Sequence, residues 1–261
     1  YANIYEFTYR EAEIPIGERP EIDRWILSEL NTLILDTDKA YGEYEPTRAA
    51  RMISDFVQEN LSNWYVRLCR RRFWKGDYGK DKISAYQTLF TCLKTVSELA
   101  APIAPFYMEQ LFRDLLGGVV QEGHQSVHLA FFPKADEALI DKELEAKMLK
   151  AQTITSLVLS IRQKEKIKVR QPLQKVMIPV LDPRQKGEIE AVADLIKSEV
   201  NVKEIELLDD ASGILVKRIK PNFKTLGPRY GKDMKAIAKA VAELTQEDIQ
   251  KIEREGEIVL D

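Results

Sequence analysis

Five cations fall between positions 67 and 75 with no acid among them: Arg67, Arg70, Arg71, Arg72 and Lys75. Phe73 and Trp74 are interleaved with them. Guanidinium groups neutralise phosphates and stack on planar rings, and aromatic side chains stack on unpaired bases. This composition therefore points to a polyanion carrying bases. On a helix turning ~100° per residue, Asn63, Arg67, Arg70 and Trp74 fall within about 60° of one another, away from Leu61, Trp64, Tyr65 and Leu68. Like charges three and four residues apart repel in an isolated helix, so a neutralising partner accounts for their density. The competing reading is a solvated basic face with its two aromatics packed inward. Met52 and Phe56 lie on the same angular side further up the helix, so the nucleic-acid reading rests on the last two turns.

Two further basic islands stand out from a net charge of only −3. Residues 1–45 hold eleven acidic side chains against four basic, whereas 46–82 hold nine basic against four acidic. Residues 162–175 hold six basic against one acidic, and 213–239 eight against one. A near-neutral protein can thus present polyanion-binding faces, with the acidic opening segment keeping RNA off another side. In the second island Lys164, Lys166, Lys168 and Arg170 run from a helix end into an extended segment before Pro172, and can meet a nucleic-acid backbone. A solvated helix end with cations placed by the dipole is the alternative. The third island joins Lys220, Asn222, Phe223, Lys224, Arg229 and Lys232, with Gly227-Pro228 and Gly231 expected to make turns that let backbone amides approach a phosphate.

The elements that must position these groups are mostly helical. Pro20 with Glu21 and Asp23 opens one helix, whose apolar residues Ile22, Ile26, Leu30, Leu33 and Ile34 recur until about Gly42. Pro46 opens a second, running to about Lys75-Gly76 with a stripe of Ile53, Val57, Leu61, Trp64, Tyr65 and Leu68. A third spans roughly 80–100, and a fourth ends near Leu116 before Gly117-Gly118. Residues 126–132 alternate like a strand. A long helix over about 136–166 leads to a differently composed region: strands over 176–181 and 202–207, a helix over 184–198, alternation over 214–220, helices over 231–242 and 245–255, and a final strand over 257–260. The fold class expected is mainly α, a helical bundle over 19–133 followed by a linking helix and small α+β module over 134–261.

Hydrophobic residues at 44% and charged residues at 31% describe an ordinary soluble protein. The apolar runs are far shorter than the ~20 residues that cross a bilayer, and no secretion leader or membrane partner is expected. Cys69 and Cys92 cannot build a disulfide framework or a zinc site, and read as unreactive thiols of a reducing cytoplasm. His124 and His128 lack further ligands, so no metal is expected. No phosphate-loop, Gly-x-Ser-x-Gly or acid–base pair is present, so catalysis is not expected of these residues.

Several motifs in order resemble one family. Arg19-Pro-Glu-Ile-Asp-Arg-Trp-Ile-Leu-Ser28, Tyr44-Glu-Pro-Thr-Arg-Ala-Ala50, Leu61 to Lys75, and Ala100-Ala-Pro-Ile-Ala-Pro-Phe106 are similar to the anticodon-binding helical domain of class I aminoacyl-tRNA synthetases. Within that class, Asn63-Trp-Tyr-Val-Arg followed by Arg70-Arg-Arg-Phe-Trp resembles the isoleucyl-tRNA synthetase form, as do Ser126-Val-His-Leu-Ala130 and Val169-Arg-Gln-Pro-Leu173. The resemblance implies an isoleucine-specific tRNA as partner, held by Asn63, Trp64, Arg67, Arg70 to Lys75, Lys166, Lys168, Arg170, and the third island. The ATP-binding signatures His-Ile-Gly-His and Lys-Met-Ser-Lys-Ser are absent, and so is the editing domain. Ligation with ATP and magnesium would then belong to a parent enzyme whose catalytic domain is a partner of this piece, which itself takes no cofactor and is monomeric. Tyr1-Ala-Asn-Ile4 resembles the end of the segment joining that domain (1–18), and Asp261 reads as an excised end. The cysteine-rich zinc element of many bacterial enzymes is absent; Pro221 to Lys232 resembles the branch that includes the eukaryotic-type enzymes. A valine or methionine relative, or a protein-interaction module without an RNA role, are the rival readings.

Overall fold

The computed structural model describes residues 13–75, 77–116, 126–180, 183–208, 219–231, 233–245, 248–249, 251–252 and 256. Contacts divide the chain into two compact units, Tyr1–Thr153 and Ile154–Asp261, with the division inside one long helix.

The first unit is built of helices. α1 (Glu21–Gly42) starts directly after Pro20, with Glu21 and Asp23 in its first turn where carboxylates favour the helix dipole. It buries Trp25, Ile26, Leu27, Leu30, Leu33 and Ile34, the 3–4 spacing of one apolar face. α2 (Pro46–Asp55) has its proline at the first turn. The chain then continues helically, but Phe56–Val66 is a π-helix, before α3 (Arg70–Trp74). α4 (Lys80–Ala100) and α5 (Pro105–Leu116) complete the unit's major helices, and α4 packs on α1, α2, α3 and α5. Arg19 ties the approach to α1 onto α4: it is buried, donating to the Ile14 carbonyl at 3.0 Å and to Thr88 Oγ1 at 3.0 Å.

The strand expected over 126–132 is instead a 3₁₀ turn, Val127–Leu129. Glu109 of α5 accepts from both Ser126 Oγ and the Val127 amide at 2.9 Å, and Ser126 Oγ accepts from the His128 amide. A carboxylate and a hydroxyl thus take the Val127 and His128 amides that a neighbouring strand would have bonded.

α6 (Lys142–Lys164) crosses between the units. In the second unit β1 (Leu173–Pro179) and β2 (Val202–Leu208) pair in parallel, Leu173 opposite Val202 and Ile178 opposite Leu207. Parallel pairing needs a crossover, supplied by α7 (Pro183–Ala191) and α8 (Ala193–Val200), which bury Ile189, Ile196 and Val200. α9 (Phe223–Tyr230) and α10 (Met234–Glu243) follow. The molecule is therefore mainly α with a small α+β module. Gly227 and Pro228, expected in a turn, lie inside α9: Asn222 Oδ1 caps it through the Lys224 amide, and proline forfeits only one backbone bond. The expected helix end at Gly76, the stop at Gly117-Gly118, the alternation over 214–220, the helix over 245–255 and the strand over 257–260 lie wholly or partly outside the described residues.

Candidate nucleic-acid interface

The π-helical stretch decides which side chains of 56–75 face out. Its i→i+5 bonding widens the turn. Phe56, Leu61, Tyr65, Cys69 and Phe73 are the buried series, one step of five and then steps of four. In an unbroken α-helix each step of four drifts by ~40°, so three of them carry Phe73 off the face of Leu61. The widened turn offsets that drift.

Phe73 is consequently a core residue, 3% exposed, its ring 5.5 Å from that of Tyr86 and 6.4 Å from that of Tyr65. Tyr86 donates its hydroxyl to the Phe73 carbonyl at 2.8 Å. Trp64, at 7% exposure, is also interior. Neither stacks on a base in this arrangement, which corrects the expectation for both. Arg72 is the third correction. Its Nη1 and Nη2 donate to the two Asp23 carboxylate oxygens at 2.6 and 2.8 Å, and it also bonds Asp81. The Asp23 side chain is wholly buried, and its other donors are Tyr65 Oη at 2.9 Å and Ser84 Oγ at 2.6 Å. The paired carboxylates hold the Arg72 guanidinium even further above its ordinary value, against the opposing effect of its own burial. Burial pushes the Cys69 thiol up to about 11, so it stays protonated and inert at neutral pH.

What remains outward is Asn63, Arg67, Arg70, Arg71, Trp74 and Lys75. Arg67 is braced by a 2.8 Å bond from Nε to the Asn63 carbonyl, with its guanidinium 6.0 Å from the Trp64 ring. Lys75 Nζ lies 5.4 Å from the Trp74 ring centre, and Trp74 is 45% exposed. Arg67 and Arg70 line a cleft of about 550 Å³ whose other walls are Ser62, Val66, Phe73, Tyr86 and Leu89. Cations at an apolar cleft with an exposed indole nearby are what phosphate neutralisation and base stacking require.

The second unit holds Lys164, Lys166, Lys168 and Arg170 exposed, none with an ion pair among the described residues. Lys166 is left-handed, φ 56°, where L side chains are uncomfortable. In the third island Lys220, Asn222, Phe223 and Lys224 are exposed, Phe223 by 59%. Lys232 and the Arg229 side chain lie outside the described residues. Two interior residues were not predicted: Asp23, whose pairing with Arg72 spans 49 positions, and Arg162. The signal for Arg162 was present in the sequence. Leu144, Met148, Ala151, Thr155 and Val158 make a buried stripe at alternating steps of four and three, and the next step lands on Arg162.

The family profile described as "Anticodon-binding domain of tRNA ligase" matches residues 23–178. The chain is 60% identical over its full length to an isoleucine–tRNA ligase of Bacteroides fragilis, of which it covers 23%. It is 60% identical over 98% of its length to one of Porphyromonas gingivalis, covering 22%. It is 39% identical over 92% of its length to one of Thermus thermophilus, covering 24%. The chain thus spans under a quarter of the length of these curated relatives.

Proposed function

The chain belongs to the family of tRNA-ligase anticodon-binding domains, and from that premise we propose that it holds isoleucine tRNA at its anticodon end for an isoleucine–tRNA ligase. The observation that carries this reading is the exposed pair Arg67 and Arg70 lining a cleft with apolar walls, with Trp74 exposed alongside. Arg70, Arg71 and Lys75 neutralise phosphates of the anticodon stem and loop. One unstacked base enters the cleft, and Trp74 stacks on another. Phosphate contacts set the position and base contacts choose the tRNA. The loop carrying Lys166, Lys168 and Arg170, and the Lys220 to Lys224 segment, supply further backbone contacts from the second unit.

Isoleucine as the amino acid rests on the relatives' being isoleucine–tRNA ligases. Attachment with ATP and magnesium is assigned to parts of the longer protein outside this chain, whose catalytic portion is the partner. Among the described residues no three Asp, Glu, His or Cys side chains converge to hold a metal ion. The segment 221–232 supports placing the chain in the branch that includes eukaryotic-type enzymes. A monomer in the cytoplasm is the setting assigned to it, in keeping with two buried free thiols.

The test is a titration of this chain with isoleucine tRNA and with a valine tRNA at two salt concentrations. Salt-sensitive binding that prefers the isoleucine tRNA is expected. Equal affinity for both would remove anticodon choice from this chain, and salt-insensitive binding would favour a protein-interaction module.

A further inference from the structure

Arg162 is 2% exposed, on the last position of the buried stripe of α6, and has no carboxylate partner among the described residues. A buried cation without an anion is costly unless polar groups surround it. Here they are three backbone carbonyls. Nη1 donates to those of Lys168 at 3.2 Å and Gln171 at 3.0 Å, and Nη2 to that of Asn201 at 3.0 Å. Two of the three belong to the basic loop that follows the helix. Asn201 closes the arrangement: left-handed at φ 52°, it donates Nδ2 to the Val169 carbonyl at 2.9 Å and accepts the Leu173 amide at 3.1 Å. Carbonyls of 168 and 171 thus turn to Arg162 and that of 169 is held by Asn201, while Lys168, Val169, Arg170 and Gln171 are exposed.

The helix end leading into this loop is a Schellman motif. The Ile167 amide reaches the Arg162 carbonyl at 2.8 Å and the Lys166 amide reaches that of Gln163 at 3.1 Å. The left-handed position of such a motif usually belongs to glycine, yet lysine occupies it here. A strained backbone that displays a cation, held from inside by a buried cation, marks a surface whose shape matters.

We propose that Arg162 is a positioning residue that fixes the loop 164–171 so that Lys166, Lys168 and Arg170 meet consecutive phosphates of the bound RNA. The proposal rests on the reading of that loop as a tRNA contact, and the experiment separates the two. Binding of isoleucine tRNA is measured against salt for the full chain, for the triple variant Lys166→Gln/Lys168→Gln/Arg170→Gln, for Arg162→Lys and Arg162→Met, and for Arg162→Met combined with the triple. Each neutralised contact removes roughly 0.7–0.9 from the salt slope, so the triple variant is expected to lower it by about two to three. Arg162→Met is expected to lower the slope by about one to two and weaken binding about tenfold at low salt while remaining folded. Arg162→Lys should behave like Arg162→Met, because a single ammonium nitrogen lacks the rigid planar fork by which Nη1 and Nη2 reach separate carbonyls. Added to the triple variant, Arg162→Met should change the slope no further. Amides 167–171 should exchange faster in both single variants. If Arg162→Met fails to fold, Asn201→Gly keeps the left-handed turn and its carbonyl, removes the brace to Val169, and is expected to show the same loss in milder form. An unchanged slope in the triple variant would overturn the loop reading and this inference with it. A lowered slope in the triple variant, beside an unaltered slope in the folded Arg162 or Asn201 variants, would overturn the positioning role alone.

Discussion

At the helix end the cations are sorted by the direction in which the helix points them: Arg72 goes inside to the Asp23 carboxylate, Arg67 is braced on the Asn63 backbone carbonyl, and Arg70 and Arg71 stay exposed. In the loop 164–171 the sorting is done by backbone, and every cation is turned outward while carbonyls converge on Arg162. The difference teaches that a basic run is not one object. Along a helix, neighbouring residues point in different directions, so a run of three arginines divides between core and solvent. In a loop the chain direction can be set residue by residue, so alternating cations can all be displayed, provided that something holds the carbonyls.

The comparison breaks most severely at Asp23. Asp23→Ala leaves Arg72 without its buried partner and strips acceptors from Tyr65 and Ser84, and a loss of about 3–5 kcal/mol by urea unfolding is expected. A loss below about 1 kcal/mol would mean that Arg72 is a surface charge after all. Next come the adjacent aromatics. Phe73→Ala should cost about 3–5 kcal/mol of stability. Trp74→Ala should stay within about 0.5 kcal/mol yet weaken tRNA binding about tenfold through lost stacking. Equal stability losses for the two would contradict the division into core and contact.

A smaller effect separates the two surfaces by pH. Burial, and then the nearby Glu145, push the Glu29 carboxyl up to about 7, against the opposing Trp25 hydrogen bond and the Lys142 charge. A raised carboxyl favours folding while protonated. Its stabilisation is therefore complete below the ordinary value of 4.5 and disappears as pH rises through about 7. The helical unit should lose on the order of 1 kcal/mol across that window, screening included, and Glu29→Gln should flatten the loss. Opening of the loop, measured by amide exchange corrected for intrinsic rates, should be flat over the same range because Glu29 belongs to the other unit. A pH-dependent loop would blur the contrast. Smallest is Lys166→Gly: relieving the left-handed lysine should stabilise by about 0.5–1 kcal/mol after glycine's own entropy, while the salt slope falls by roughly 0.7–0.9. Stability and binding would then move in opposite directions at one residue.

Much of this was legible from residue order alone. Pro46 at a helix start, α4 at 80–100, the two strands and the three basic islands follow from periodicity, proline placement and charge, all of which act over a few residues. Arg67, Arg70, Arg71 and the loop lysines are exposed as the charge pattern led one to expect. The inward placement of Phe73 and Arg72 was not legible, because it depends on a widened helical turn upstream and on Asp23, 49 positions away. Nor was the role of Arg162, although its place on an apolar stripe marked it as unusual. The sequence by itself determined most of the helical segments and which segments carry positive charge, because those properties are largely local. Only the tertiary structure decided which cations face the solvent and which are consumed within the fold, because a buried charge is tolerated only where donors and acceptors from distant segments converge on it.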